Sequence, residues 1–236
     1  MNETVVIIGA TSGMGLACAR SLVEAGYRVI ISGRSQKSVS LALEQIQGEA
    51  LGFPLDFTST DSVTAFFSHT QPFDHLALVG SGQAAWGPFH DLKLDALKVA
   101  FDQKFYGFFL CAQAALPHLR KDGSITFVTG GASRSAIPGT SGVAAVNGAI
   151  QAMAFTLAKE LAPTRVNILS PGLVDTPKYD WMTPEEKQEF FRQMGSHVPV
   201  GRVGRSGEIA EGLLFLIHNA FTTGAILDVD GGNRLH

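Results

Sequence analysis

A doubly wound α/β fold on a parallel sheet follows from three features of the 236-residue chain. Short β-branched runs alternate with longer helical patterns from end to end. The strand candidates are continuous apolar runs, and a glycine-rich turn joins the first strand to the first helix. Strands that are apolar throughout are buried on both faces, so helices must cover both sides of the sheet. No linker, low-complexity tract or internal repeat interrupts the pattern. One domain spanning residues 1–236 is therefore expected, long enough for a sizeable core.

The elements follow in order. Val5-Val6-Ile7-Ile8 reads as a buried strand, followed by a helix ending near Ala25, with Gly26 just beyond its end. Residues 28–32 form a second strand, and Ser35 can cap a helix running to about residue 47. Strand 50–55 leads to helix 58–69, then strand 75–79, a long helix over 94–119 and strand 124–129. Helix 141–161 and strand 165–169 continue the alternation. A loop beyond Pro171 carries a helical insert at 184–194, and helix 208–217 and strand 226–229 finish the pattern.

Composition narrows the functional classes. Eighteen Lys+Arg against 21 Asp+Glu leave a net charge of −3, with no basic cluster for nucleic acid or an acidic membrane surface. Charged residues are 17% of the chain, below the roughly 25% of an average soluble protein. With so few charges, part of the apolar surface is expected to meet another subunit. Cys18 and Cys111 both lie in apolar helical patterns and make neither a disulfide framework nor a metal site, so a cytoplasmic location is expected. Met1-Asn2-Glu3-Thr4 has no basic region before an apolar run, so no signal peptide is expected. The longest apolar stretch, 105–119, contains Gln113 and Pro117 and falls short of the ~20 residues of a spanning helix. The histidines show no metal-ligand spacing.

Gly9-Ala10-Thr11-Ser12-Gly13-Met14-Gly15 is the turn between the first strand and helix. Here Gly9 permits the tight turn, Gly13 lets backbone amides approach a pyrophosphate, and Gly15 lets the helix pack closely on the sheet. The helix N-terminus adds partial positive charge, which makes this a dinucleotide site on a Rossmann-type sheet.

The spacing G-x-x-x-G-x-G resembles that of the short-chain dehydrogenase/reductase family, and the resemblance runs the length of the chain. Leu55-Asp56 is similar to the family's adenine-contacting aspartate motif. Arg165-Val166-Asn167 and Pro171-Gly172-Leu173-Val174-Asp175-Thr176-Pro177 are similar to its sixth strand and the loop beside the nicotinamide. Gly201-Arg202-Val203-Gly204 and Asp228-Val229-Asp230-Gly231-Gly232 are similar to its C-terminal signatures. The resemblance implies cofactor contacts at Gly9, Thr11, Ser12, Gly13, Met14, Gly15, Asp56, Gly80, Ser81, Gly82, Pro171, Gly172, Val174 and Thr176. Gly33 stands where an acid would bind the adenosine ribose and repel a 2′-phosphate; Arg34 can instead fork onto that phosphate, with Ser35 donating beside it. NADP(H) is the expected cofactor.

The resemblance also implies four reacting positions, and each holds an unexpected residue. Gly130 stands at the Ser position, Val143 at the Tyr position, Asn147 at the Lys position and Lys104 at the Asn position. Val79-Gly80-Ser81-Gly82 likewise departs from the family's Asn-Asn-Ala-Gly. A valine donates no proton, and acid–base catalysis of this kind is worth about 10²–10⁴-fold. The Lys and Asn are exchanged between two helices. Lys104 could therefore restore the positive charge and polarise or protonate a substrate oxygen, and Asn147 could still hold a ribose hydroxyl. Further polar candidates are Thr129, Ser133, Arg134, Thr140 and Ser141, and in or beyond a substrate lid at about 177–200, Tyr179, Asp180, Trp181 and His197.

An NADP(H)-dependent oxidoreductase acting on a small carbonyl compound or activated alkene is the expected function. An NADPH-binding sensor or scaffold without turnover, and a non-redox isomerase or lyase, stay open because fold alone does not choose among them. The resemblance implies a homodimer or homotetramer through the helices around 94–119 and 141–161.

Overall fold

The computed structural model describes residues 3–80, 82 and 84–235. Seven parallel strands form one sheet in the order β3-β2-β1-β4-β5-β6-β9. The first half runs β1 (Thr4–Ile8), α1 (Gly13–Glu24), β2 (Arg28–Gly33), α2 (Gln36–Leu43), β3 (Ala50–Pro54), α3 (Thr60–Ser68) and β4 (Phe73–Leu78). The second runs α4 (Leu94–Ala100), α5 (Gly107–Ala115), β5 (Leu119–Val128), α6 (Ser141–Glu160), β6 (Arg165–Pro171), β7 (Val174–Asp175), α7 (Pro184–Ser196), β8 (Gly204–Arg205), α8 (Ser206–His218) and β9 (Ile226–Val229). The short β7 and β8 pair separately, parallel to each other.

The strand pleat explains why both faces are covered. Every residue of β1 is buried, Val6 and Ile8 in one core with Phe66, Phe108 and Ile150, Val5 and Ile7 in the other with Leu22, Val39 and Leu213. Thus α3, α5 and α6 occupy one face, and α1, α2 and α8 the other. The order reverses between β1 and β4, where ligands bind in sheets of this kind, at the carboxyl ends of the strands.

The expected helix over 94–119 is not continuous. A π-helical turn, Phe101–Tyr106, separates α4 from α5, and α5 ends at Ala115. Beyond it the chain is already extended at Leu119, which pairs with Phe73 ahead of a register shift, so β5 starts five residues before Ser124. Helix 35–47 also stops early: after Leu43 the amides of Gln45 and Ile46 turn back three residues, to the carbonyls of Ala42 and Leu43. The third helix starts at Thr60 because Ser59, whose hydroxyl accepts from the Ser62 amide, caps it.

Candidate functional site

A cleft of about 850 Å³ opens at the strand-order reversal. Its walls include Gly9, Thr11, Ser12, Gly13, Met14, Gly15, Asp56, Gly80, Gly82 and Thr176, ten positions implied by the resemblance, together with Arg34. Ser81 lies outside the described residues. The turn is shaped by backbone contact: a Cβ on Gly15 would run into the Gly9 carbonyl oxygen, so α1 can sit this close only with glycine there. Ser12 precedes α1 without a side-chain cap bond, and α1 has no acidic residue in its first turn. The amides of that turn are the orphan donors of a helix N-terminus, facing a site that a phosphate would satisfy.

The adenosine side carries its own steric statement. A Cβ on Gly33 would collide with the Thr11 Cγ2 methyl, so no acidic side chain fits there without displacing Thr11. Arg34 follows, exposed on the cleft wall and without an ion pair among the described residues. Asp56 accepts from the Thr58 amide and hydroxyl at 3.0 and 2.6 Å, and these bonds hold its carboxyl below its ordinary pKa. Ser35 is otherwise employed: its hydroxyl accepts from the Ser38 amide at 3.2 Å in a capping box that starts α2, and it does not border the cleft. Pro171, Gly172 and Val174 do not border it either. The Gly172 amide bonds the Val229 carbonyl and Val174 is buried, so these residues anchor the strap that carries Thr176.

Behind the cleft the exchanged pair meets. Lys104, buried in the π-helical turn, donates from Nζ to Asn147 Oδ1 at 2.9 Å and to the Thr129 carbonyl at 3.0 Å. Asn147 Nδ2 reaches the Gly130 carbonyl at 3.4 Å. Burial lowers the Lys104 pKa to about 8, with repulsion from the Lys178 ammonium as the smaller cause. Thr129 Oγ1 beside it is buried without a hydrogen-bond partner among the described residues. A Cβ on Gly130 would approach only Asn147 Nδ2, at 3.4 Å, so the position is open. Val143 is half-buried, one helical turn before Asn147 on α6.

The remaining polar candidates separate. Ser133 stays close, its hydroxyl donating to the Gly130 carbonyl at 3.3 Å and accepting from Gln151 at 2.7 Å. Arg134 turns to the Asp228 carboxylate at 3.0 Å, which Arg234 also binds at 2.7 Å. The Thr140 hydroxyl bonds the Ile137 carbonyl, and Ser141 and Trp181 are exposed. Tyr179 packs on Phe190 and Phe191, Asp180 pairs with Lys187, and His197 Nδ1 lies 3.0 Å from the Gln193 carbonyl. Two cleft residues have no motif to announce them: Gln103, next to Lys104, and Lys178, just past the Pro171–Pro177 signature.

Known proteins share this framework. A family model described as enoyl-(acyl carrier protein) reductase matches residues 9–234. The chain is similar to cis-4-hydroxycyclohexanecarboxylate dehydrogenase of Sinomonas cyclohexanicum, 32% identical over 239 residues, covering 96% of this chain and 94% of that one. The crystal structure of a small-chain dehydrogenase in complex with NADPH is 34% identical with a TM-score of 0.84, both chains covered completely. A short-chain oxidoreductase of Pseudomonas aeruginosa, described as containing an atypical catalytic center, is 26% identical with a TM-score of 0.89, over 98% of this chain and 96% of that one. The glycine turn at the strand-order reversal, the seven-stranded parallel sheet and a family match over nearly the whole length agree, and the chain belongs to the short-chain dehydrogenase/reductase family.

Proposed function

We propose that this protein is an NADP(H)-dependent oxidoreductase that transfers hydride to or from a small organic substrate, with Lys104 in the role of proton donor. The single observation that carries this reading is the Lys104–Asn147 contact of 2.9 Å. The fold brings these two positions, 43 apart in the chain, together; a lysine left there by drift would extend to solvent, whereas Lys104 is buried and bonded to its exchanged partner.

NADP(H) fits the cleft on this chain's own residues. The amides at Gly13–Gly15 suit the pyrophosphate, Arg34 suits the 2′-phosphate, and Gly33 stands where the acid that would repel that phosphate would have to displace the Thr11 methyl. A relative whose structure holds NADPH supports the same choice. When bound, the coenzyme supplies or accepts the hydride. In carbonyl reduction, Lys104 releases a proton from Nζ to the substrate oxygen as the carbon gains the hydride, then takes a proton back from solvent. With its pKa at about 8 the group holds that proton at neutral pH and gives it up more readily than an ordinary lysine. Asn147 and the Thr129 carbonyl fix where the ammonium points.

The comparison with NADPH-binding sensors turns on a specific fact: Gly130 and Val143 provide neither hydroxyl of the family pattern. Turnover separates the readings. NADPH oxidation across aldehydes, diketones and enones is expected for the native chain and should be lost in Lys104→Met, with coenzyme binding retained. Arg34→Ala should lose the preference for NADPH over NADH. Tight coenzyme binding without turnover on any acceptor would replace the proposal with a binding function, and conversion without nucleotide would replace it with isomerase or lyase chemistry. A cytoplasmic location belongs to the same reading, since both thiols are free and buried, and so does a homodimer or homotetramer, for which the exposed apolar side chains of the helices around 94–119 and 141–161 offer a surface.

A further inference from the structure

We propose that Lys178 is the anion anchor of the substrate pocket, so that the substrates of this chain carry a carboxylate beside the carbonyl group that Lys104 serves. The inference rests on the reading above and names its substrate class. Lys178 borders the cleft together with Gly82, Gln103 and Thr176. Its place is set by the strap beyond β7. Thr176 starts the short 3₁₀ turn Pro177–Tyr179, and the strap lies against the glycine turn, where a Cβ on Gly13 would touch Thr176 Cβ at 3.4 Å and Pro177 Cδ at 3.7 Å. From there the ammonium lies 5.2 Å from the centre of the Trp86 ring and 5.8 Å from that of Tyr179. Aromatic faces hold a cation in place without neutralising it.

The charge count around that ammonium is one-sided. The neighbouring carboxylates of Asp175 and Asp180 are both taken by Lys187, at 2.8 and 2.9 Å. Lys178 has no carboxylate partner among the described residues. Its charge is felt at Lys104, whose own partners are two neutral oxygens. Lys178 on the cleft wall and Lys104 behind it are thus two cations without a carboxylate partner among the described residues, and a neutral substrate would leave them so. The α1 amides suit the coenzyme's pyrophosphate, whereas Lys178 extends over Trp86, between β4 and α4. A carboxylate bound at Lys178 compensates the charge and places an adjacent carbonyl toward Lys104, while the half-exposed Trp86 ring offers a face to an apolar body.

Benzoylformate and its neutral isostere benzoylformamide test this by calorimetric titration into the protein loaded with NADP⁺, which holds no hydride to reduce either compound. The acid is expected to bind about tenfold more tightly than the amide, a preference that Lys178→Met abolishes and Lys178→Arg retains. Equal binding of acid and amide to the native chain overturns the proposal, as does an acid preference that survives Lys178→Met. Weakened NADPH binding in Lys178→Met with the acid preference intact assigns the lysine to the coenzyme's phosphates and also overturns it. The oxidoreductase reading fails separately, by absence of turnover, and the binding ratio still decides the anchor. If NADP⁺ does not bind, the same titration into the free protein decides it, and no binding of either compound counts against it.

Discussion

Burial disfavours the charged form of an amine, and at Lys104 this physical fact becomes a kinetic expectation. Its ammonium is almost sealed from water and donates to two neutral oxygens, and its pKa falls to about 8 from an ordinary 10.5. Below that value the group is a protonated acid; above it the proton is gone. The pH profile of kcat/KM for carbonyl reduction should therefore be level from neutrality to about 8 and then decline about tenfold per unit as pH rises. Oxidation of the corresponding alcohol, which needs the neutral amine, should rise about tenfold per unit up to about pH 8 and be level above it. Steady-state rates between pH 6 and 10 check both limbs, and a reduction rate that stays level to pH 10 would remove Lys104 from the proton path. Asn147 has a different part in the proposed mechanism: its amide oxygen accepts from the ammonium and its nitrogen donates to the Gly130 carbonyl, an arrangement suited to positioning the acid.

At the scale of elements, a helix end shows how a sequence signature acquires a physical reason. Arg165 opens β6, yet its guanidinium is buried against the C-terminus of α8, donating to the carbonyls of Leu216 at 2.6 Å, Ile217 at 2.8 Å, and Asn219 and Thr222 at 3.2 Å each. The carbonyls of Leu216 and Ile217 are acceptors a helix leaves unpaired, at the negative end of its dipole; those of Asn219 and Thr222, just beyond it, accept also from the Thr222 amide and Asn167 Nδ2. Arg165→Met should lower unfolding stability by about 2–4 kcal/mol, because several charge-assisted bonds go and the carbonyls stay buried. The measurement is a urea midpoint with the slope unchanged; a loss under about 0.5 kcal/mol would mean that water replaces the cap. Strand and helix order was legible because apolar runs and helical periods survive in the chain. The π-helical turn was not, since one residue inserted into the hydrogen-bond ladder hardly alters a helical pattern. The early start of β5 was hidden too, because Arg120, Lys121 and Asp122 break the apolar run that marks a buried strand. In the site, the glycine turn announced itself through local spacing. Lys104 and Asn147 were found only through family register, since nothing local joins residues on different helices. Lys178 had no signal at all, as its role depends on where a strap crosses a cleft.

For the molecule as a whole, the proposed assembly of two or four copies rests on the low charge and on exposed apolar side chains on one face of the sheet. Ser141–Glu160, the helix α6, is long and apolar enough to cross a membrane, with a mean hydropathy of 1.3, but its inner residues Val146, Ile150 and Ala154 share a core with Phe108, Cys111 and Ala115 of α5. Those packed residues account for one face of each helix. The outer faces still carry Val99, Tyr106, Phe109 and Leu116 on α4–α5 and Phe155 on α6, all exposed. Apolar residues gathered on adjacent helices of one sheet face mark a surface that another copy of the chain can cover. Sedimentation velocity on the native protein should therefore report a particle of two or four chains of 25.1 kDa. Placing a charge in the centre of a covered apolar patch leaves it desolvated and unpaired, which costs several kcal/mol per interface. Phe109→Arg and Phe155→Arg together should consequently shift the particle to a single chain at micromolar concentration, with far-UV circular dichroism unchanged because both side chains point away from the core. A native protein that sediments as one chain at every concentration would show that these faces meet solvent, and the deficit of charge would then need another cause.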